Sequence, residues 1–325
     1  MLAKPPEPIP FRQPKQAVMG TAARFIAGLV LLGLAAVLRS MAANPPSHDP
    51  NVPVETLHGY LMVISATVNA RGPFSFVVDT GTNTTLIDPE LAQELRLEPV
   101  DRMILNSMGK SAPVARYFLD NFRVGAASVS HLEALAAPLS QLQALDSRIR
   151  GVVGMNFLIQ FSFLLDYEQQ RLQIFPSPEL AHAPEGTRLH AEINDWRLLI
   201  PVGSKASPRG MWKLTLDSGI AQFLVFEDRV DWTADEFDRC AQASCLMQVS
   251  TNLSSQNTPT VRVHLLSIAD TLLHDVQVVV LRNNQARPSD PSDGLLPASL
   301  FGSVFFDRSD ASVVFSPRLA VMAGR

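Results

Sequence analysis

The sequence predicts an all-β chain of two lobes with short helices and a functional site between the lobes. Three observations carry this. From about residue 55 the chain is a series of short apolar runs of strand length, such as 61–68, 74–78, 161–165, 172–175, 198–202, 276–281 and 313–315, many rich in β-branched or aromatic residues. Several features recur in the same order at nearly one interval. Two acid triplets, Asp79-Thr80-Gly81 and Asp217-Ser218-Gly219, each close an apolar run.

Taken in order, residues 1–43 read as an export signal or an N-terminal membrane anchor. Lys4, Arg12, Lys15 and Arg24 precede an uninterrupted apolar stretch, 25–38, of 14 residues. A spanning helix needs about 20 apolar residues, while a signal core runs to roughly 15. Ser40, Ala42 and Ala43 supply small residues, so cleavage after Ala42 or Ala43 fits. An uncleaved anchor fits too, because residues 17–23 lengthen the span past Arg24 and give membrane attachment through 17–38. The basic residues come first, so either reading places the remainder outside the cytoplasm, periplasmic or extracellular. Residues 44–55, with Pro45, Pro46, Pro50 and Pro53, are expected to form an extended, exposed linker.

The lobes are expected at 56–180 and 181–325. Asp88 suits a helix N-cap, Pro89 the first helical position, and Glu90 the positive end, which predicts a short helix to Leu95. Thr233 and Glu236 have the spacing of a capping box opening a short helix toward Cys240. Cys240 and Cys245 lack the spacing of a redox or zinc pair, and a local disulfide or two thiols both remain open.

The repeat is the main organising signal. Gly151-Val152-Val153-Gly154-Met155-Asn156-Phe157-Leu158 parallels Gly294-Leu295-Leu296-Pro297-Ala298-Ser299-Leu300-Phe301, at an offset of 143. Phe163-Leu164-Leu165-Asp166-Tyr167 parallels Val304-Phe305-Phe306-Asp307-Arg308, and 172–176 parallels 313–317, both at 141. The acid triplets are 138 apart. Several features in one order at one interval indicate a duplicated unit.

Each triplet offers a carboxylate, a small hydroxyl and a glycine that allows a tight turn and a close backbone approach. Facing each other, two such loops bring two carboxylates to one site. Like charges about 3 Å apart cannot both ionise, so the pair keeps one proton. The ionised acid can take a proton from water, and the protonated acid can donate to a carbonyl oxygen. That chemistry needs no cofactor and no metal.

The Asp79-Thr80-Gly81-Thr82-Asn83-Thr84-Thr85 loop after Phe76-Val77-Val78 resembles the active-site loop of retropepsin-like aspartic proteases. Val152-Val153-Gly154 resembles the element that packs beneath that loop. From about 56 to 320 the chain is similar to the bacterial, duplicated, single-chain members. The resemblance implies a pepsin/retropepsin-like acid-protease fold and an aspartic endopeptidase whose catalytic dyad is Asp79 and Asp217. Thr80, Gly81, Thr82, Ser218 and Gly219 would support the loops, with Thr80 and Ser218 interlocking between lobes. A flap hairpin is expected near residues 106–110. The partner would be a peptide or protein substrate, and one chain holds both halves, so a monomer suffices.

The second lobe departs from this pattern. Ile220 stands in place of Thr82, Phe223 in place of Thr85, and Pro297 in place of Gly154. A carboxylate with fewer hydrogen bonds has a higher pKa, so Asp217 is expected to be the more readily protonated acid. The same changes leave a second reading open, a catalytically inactive peptide-binding protein with the same fold.

Other readings fit less well. Asp166 and Asp307 also recur, but each begins a turn and reads as structural. The formal charge of −4 offers no basic field for nucleic acid. Hydrophobic residues at 46% and charged residues at 18% exclude a disordered chain. The sequence has no Gly-x-Ser-x-Gly elbow and no glycine-rich phosphate loop. Its histidines lack metal-ligand spacing. Asn83 and Asn252 begin glycosylation-type triplets, but a glycan at Asn83 would sit on the acid loop.

Overall fold

A computed structural model describes residues 49–107, 110–239, 246–250, 255–281 and 291–318. The leader through residue 48, Cys240, Cys245 and the whole Asn252 triplet therefore lie outside the described residues. No helix among the described residues is long and apolar enough to cross a membrane.

The first half runs β1 (Asn51–Val52), β2 (Val54–Leu57), β3 (Leu61–Val68), β4 (Arg71–Val78), β5 (Thr85–Ile87), α1 (Pro89–Glu94), β6 (Asp101–Ser107), β7 (Lys110–Val124), β8 (Ala127–Ala136), α2 (Ser140–Leu145), β9 (Ile149–Val153), α3 (Met155–Leu158), β10 (Ser162–Asp166) and β11 (Arg171–Phe175). The second half runs β12 (Thr187–His190), β13 (Glu192–Asn194), β14 (Arg197–Gly203), β15 (Met211–Asp217), β16 (Phe223–Phe226), β17 (Phe237–Arg239), β18 (Leu246–Ser250), β19 (Ser255–Ile268), β20 (Thr271–Leu281), β21 (Gly294–Pro297), β22 (Ser303–Asp307) and β23 (Ser312–Ser316). The described residues are mostly strand, with a few short helices, in two lobes as the sequence predicts.

The two lobe sheets have one topology. The first is ordered β2-β3-β4-β9-β5-β8-β7-β6, and β3 also pairs with β7. The second is ordered β13-β14-β15-β21-β16-β20-β19-β17, with β14 also pairing β19 and β18 pairing β19. In each, the strand that ends at an acid pairs in parallel with a later strand: β4 with β9, and β15 with β21. Both flanking strands bury their side chains, as parallel pairs require. Val77, Val78, Val152 and Val153 are buried in lobe one, and Leu214, Leu216 and Leu296 in lobe two. A third sheet, β1-β11-β10-β22-β23-β12, joins the halves through the β10–β22 pair.

The proline-bearing stretch expected to be an exposed linker ends in structure. Asn51–Val52 pairs with β11, and Val54–Leu57 pairs with β3. Val52 is buried at 5% exposure. Pro50 gives only its carbonyl, to Ile174, so its missing N–H costs no ladder bond.

Helix α1 forms where the sequence places it. Asp88 accepts from the Glu90 amide at 3.2 Å, and Arg150 pairs with its other oxygen at 3.3 Å. The helix expected at Thr233 is absent. Asp231 takes both the amide and the hydroxyl of Thr233, closing a turn, and the chain then enters β17 against β19. An acid two residues upstream captured the capping hydroxyl, and sheet pairing took the backbone. Asp166 and Asp307 each hold a turn, accepting from Gln169 N and Ser309 N. The hairpin expected near 106–110 is β6–β7; residues 108–109, at its turn, lie outside the described residues.

Candidate active site

Asp79 follows the last residue of β4, and its amide donates to Val153 O at 3.1 Å. Asp217 is the last residue of β15, in register with Pro297 of β21. Parallel pairing thus carries each acid out of a buried strand at the same place in its lobe.

The loops lock to each other across the lobe boundary. Thr80 N donates to Ser218 Oγ at 3.0 Å, and Ser218 N donates to Thr80 Oγ1 at 3.0 Å. Thr80 Oγ1 donates to Leu216 O at 2.8 Å, and Ser218 Oγ donates to Val78 O at 2.9 Å. Both hydroxyls are buried, at 0% and 1% exposure, so the four bonds are shielded from water. Each is worth about 1 kcal/mol net, and an orphaned buried partner costs about 1–3 kcal/mol. The interlock is what holds two acid loops face to face.

The glycines allow the approach. A Cβ on Gly81 would collide with the Asp217 carboxyl, and one on Gly219 would lie 2.8 Å from the Asp79 carboxyl carbon. Each glycine therefore lies against the acid of the opposite lobe. No larger residue fits there without moving a carboxylate.

The two acids differ in support. Asp79 Oδ1 accepts from Gly81 N at 2.8 Å and Thr82 N at 3.2 Å, and Asp79 Oδ2 accepts from Thr82 Oγ1 at 2.7 Å. Asp217 Oδ1 accepts from Gly219 N at 2.7 Å. Ile220 has no hydroxyl to match Thr82. Asp217 is held well above the usual carboxylate range, first by burial, then by the charge of Asp79, with a hydrogen bond to the Asp79 carboxyl adding to the effect. The sequence pointed to the shortage of hydrogen bonds; burial is the larger cause. Burial and the neighbouring charge favour the protonated form of Asp217, and Asp79 is the acid that accepts more hydrogen bonds.

Beneath the first loop lies a polar network that the sequence did not disclose. Thr85 N and Oγ1 donate to Asn156 Oδ1 at 2.9 and 2.8 Å, and Asn156 Nδ2 donates to Glu133 O at 2.8 Å. Gly154 N donates to Thr85 Oγ1 at 3.3 Å. The amides of Met155 and Asn156 donate to Thr82 O and Asn83 O, so α3 holds the loop backbone. A Cβ on Gly154 would sit 2.6 Å from the Thr84 carbonyl carbon.

Lobe two fills this place with carbon. Phe223 is buried at 2%, Pro297 has no amide hydrogen to satisfy, and Ser299 stands for Asn156. The three changes agree with one another. Losing the Thr85 acceptor goes with losing the Gly154 donor, so no buried polar group is orphaned by the pair.

Two residues near the acids come from elements that sequence spacing could not connect. Tyr60, in the β2–β3 turn, has its hydroxyl pushed up, first by burial and then by the charge of Asp217. Asp195, in the β13–β14 turn, accepts from Asn83 Nδ2 at 3.0 Å. The first hairpin of each lobe thus reaches toward the acid loop of the other. Among the described residues, no group of three His, Cys, Asp or Glu side chains is placed to hold a metal ion.

A family model described as aspartyl protease matches residues 64–157, from β3 through α3, including Asp79. Among solved structures the chain is similar to a retropepsin-like aspartic protease from Rickettsia conorii, at 22% identity, covering 37% of this chain and 86% of that one, with a TM-score of 0.29. No curated protein matches the chain.

Proposed function

We propose that this chain, whose residues 64–157 match an aspartyl protease family model, is a retropepsin-like endopeptidase in which Asp79 and Asp217 hydrolyse peptide bonds by activating one water. The observation that carries the reading is the cross-lobe lock, which sets each acid against the glycine of the opposite loop and so brings the two carboxyls to one site.

The ionised Asp79 removes a proton from a water between the acids. The oxygen attacks the substrate carbonyl carbon, and Asp217 gives its proton to the carbonyl oxygen. The product is a neutral gem-diol. The proton on Asp79 then passes to the amide nitrogen as the C–N bond breaks. One diol O–H returns its proton to Asp217 as the new carboxyl forms. Protons balance over the cycle, and no covalent intermediate forms. Thr82 and the amides of Gly81 and Thr82 favour the anion on Asp79, while burial favours the proton on Asp217.

The binding-only alternative rested on Ile220 as an apolar plug. The close approach of Gly81 to the Asp217 carboxyl and of Gly219 to the Asp79 carboxyl counts against a plug between the acids. The test is cleavage of unfolded proteins from pH 3 to 7 by the wild type, Asp79→Asn and Asp217→Asn. The wild type should cleave, and each variant should lose about a thousandfold or more. An inactive wild type, or a variant with full activity, removes the reading.

The basic and apolar leader supports export, with either cleavage after Ala42 or Ala43 or attachment through residues 17–38. Fractionation of cells expressing the full chain distinguishes the two, and recovery in the cytoplasm would refute both.

A further inference from the structure

The turn that reaches Asn83 carries an exposed tryptophan. Strands β13 and β14 pair to Asn194↔Arg197, which leaves Asp195 and Trp196 as a two-residue turn. Both are left-handed, with φ of 49° and 61°. Such turns favour Asn and Gly, and a bulky residue at positive φ is an outlier costing on the order of 1–3 kcal/mol. Trp196 is also 46% exposed, so core packing does not account for it. A strained, half-exposed indole persists where neither backbone preference nor burial asks for one.

Its position suggests why. Asp195 is bonded to Asn83, which lies four residues after Asp79 on the acid loop. Four Cα steps span at most about 15 Å. An extended peptide advances about 3.3 Å per residue. The turn therefore stands within reach of a substrate side chain a few residues from the bond held at the acids. The corresponding turn of lobe one brings Tyr60 toward Asp217. Both first-hairpin turns thus border the cleft, one with a half-buried phenol and one with an exposed indole. An indole offers a broad apolar face at low conformational cost.

We propose that Trp196 is a specificity-determining residue that receives an aromatic or branched apolar side chain of the peptide, on the Asn83 side of the acids. This rests on the peptidase reading for the cleft. The Asp195–Asn83 bond holds the turn to the acid loop, so that the same loop positions the acid and the platform.

The experiment pairs cleavage with binding. A peptide library is cleaved by the wild type, Trp196→Ala, Trp196→Phe and, as a control, Leu272→Ala, an exposed apolar residue of β20. In the wild type, kcat/KM for peptides with an aromatic or branched apolar residue at one fixed position exceeds that for Gly or Ala there. Trp196→Ala should lower that ratio about tenfold, and Trp196→Phe should restore most of it. Leu272→Ala should match the wild type. An unchanged ratio in Trp196→Ala, or an equal fall in Leu272→Ala, overturns the proposal. In parallel, fluorescently labelled peptides of the same library are titrated onto Asp217→Asn and Asp217→Asn/Trp196→Ala. If the wild type cleaves nothing while the second substitution still weakens apolar peptides selectively, the peptidase reading fails and this inference stands. If it weakens none, the inference fails whatever the cleavage result.

Discussion

Lobe one holds its acid loop with hydroxyls and an amide, whereas lobe two holds the same backbone with hydrocarbon. Thr82, Thr85 and Asn156 give the first loop a hydrogen-bonded floor, and Ile220, Phe223 and Pro297 give the second an apolar one. What both keep is the part that crosses the boundary: the hydroxyls of Thr80 and Ser218 and the glycines that follow them. The contrast separates two tasks. Bringing the acids together requires the shared elements, and deciding which acid keeps the proton falls to the unshared ones.

The largest effect on stability should come from removing a shared element. Thr80→Val keeps the shape but leaves Ser218 N and Leu216 O without their partner. Denaturant unfolding should show a loss of about 2–4 kcal/mol, with cleavage activity falling as well. A loss no larger than that of an exposed Thr→Val change would mean the lock does not hold the lobes.

The floors can be exchanged. Thr85→Phe alone should cost about 3 kcal/mol, because Asn156 loses its hydroxyl donor, the Gly154 amide loses its acceptor and a ring enters a packed site. Adding Gly154→Pro and Asn156→Ser, which copies lobe two, should recover at least about 1 kcal/mol of the summed single costs. Strict additivity of the three would show that the second lobe's changes are independent of one another.

The finest test concerns the proton. Ile220→Thr would give Asp217 the hydroxyl that Thr82 gives Asp79. The alkaline limb of the kcat/KM profile, where Asp217 loses its proton, should move to lower pH by about one unit. Stability should follow the same linkage. Because the folded pKa of Asp217 is raised, the folded state binds more protons than the unfolded one between the ordinary carboxylate value and the raised one. Stability therefore falls as pH rises through that window. Ile220→Thr should flatten the fall, and an unaltered slope and limb would leave burial and the Asp79 carboxyl as the causes.

Much of this was legible in the sequence, for definite reasons. The strand-acid-hydroxyl-glycine pattern is local, and the repeat aligned Asp79 with Asp217 and Gly154 with Pro297, in agreement with the strand registers. Helix α1 was legible because Asp88 caps it from one position away. The Asn83–Asp195 bond was not, because it joins residues 112 apart from different lobes. Asn156 was hidden as well, since its partners Thr85 and Glu133 lie 71 and 23 residues away. The Thr233 helix was misread because the nearest competitor for its hydroxyl, Asp231, stood just outside the capping pattern.

The sheet that joins the halves has a further meaning. In β10–β22, Leu164 faces Phe305, its own counterpart in the repeat, while Phe163 faces Phe306 and Leu165 faces Val304. The flanking strands keep the symmetry: β1 lies on β11 as β12 lies on β23. This is the register of an isologous dimer, contained in one chain. In a true dimer every substitution is made on both sides of the axis, and assembly fails on dilution. Here the tether makes assembly intramolecular, so specific activity should not vary with protein concentration. It also frees one side of the axis to change alone, which is how an apolar floor can stand opposite a polar one.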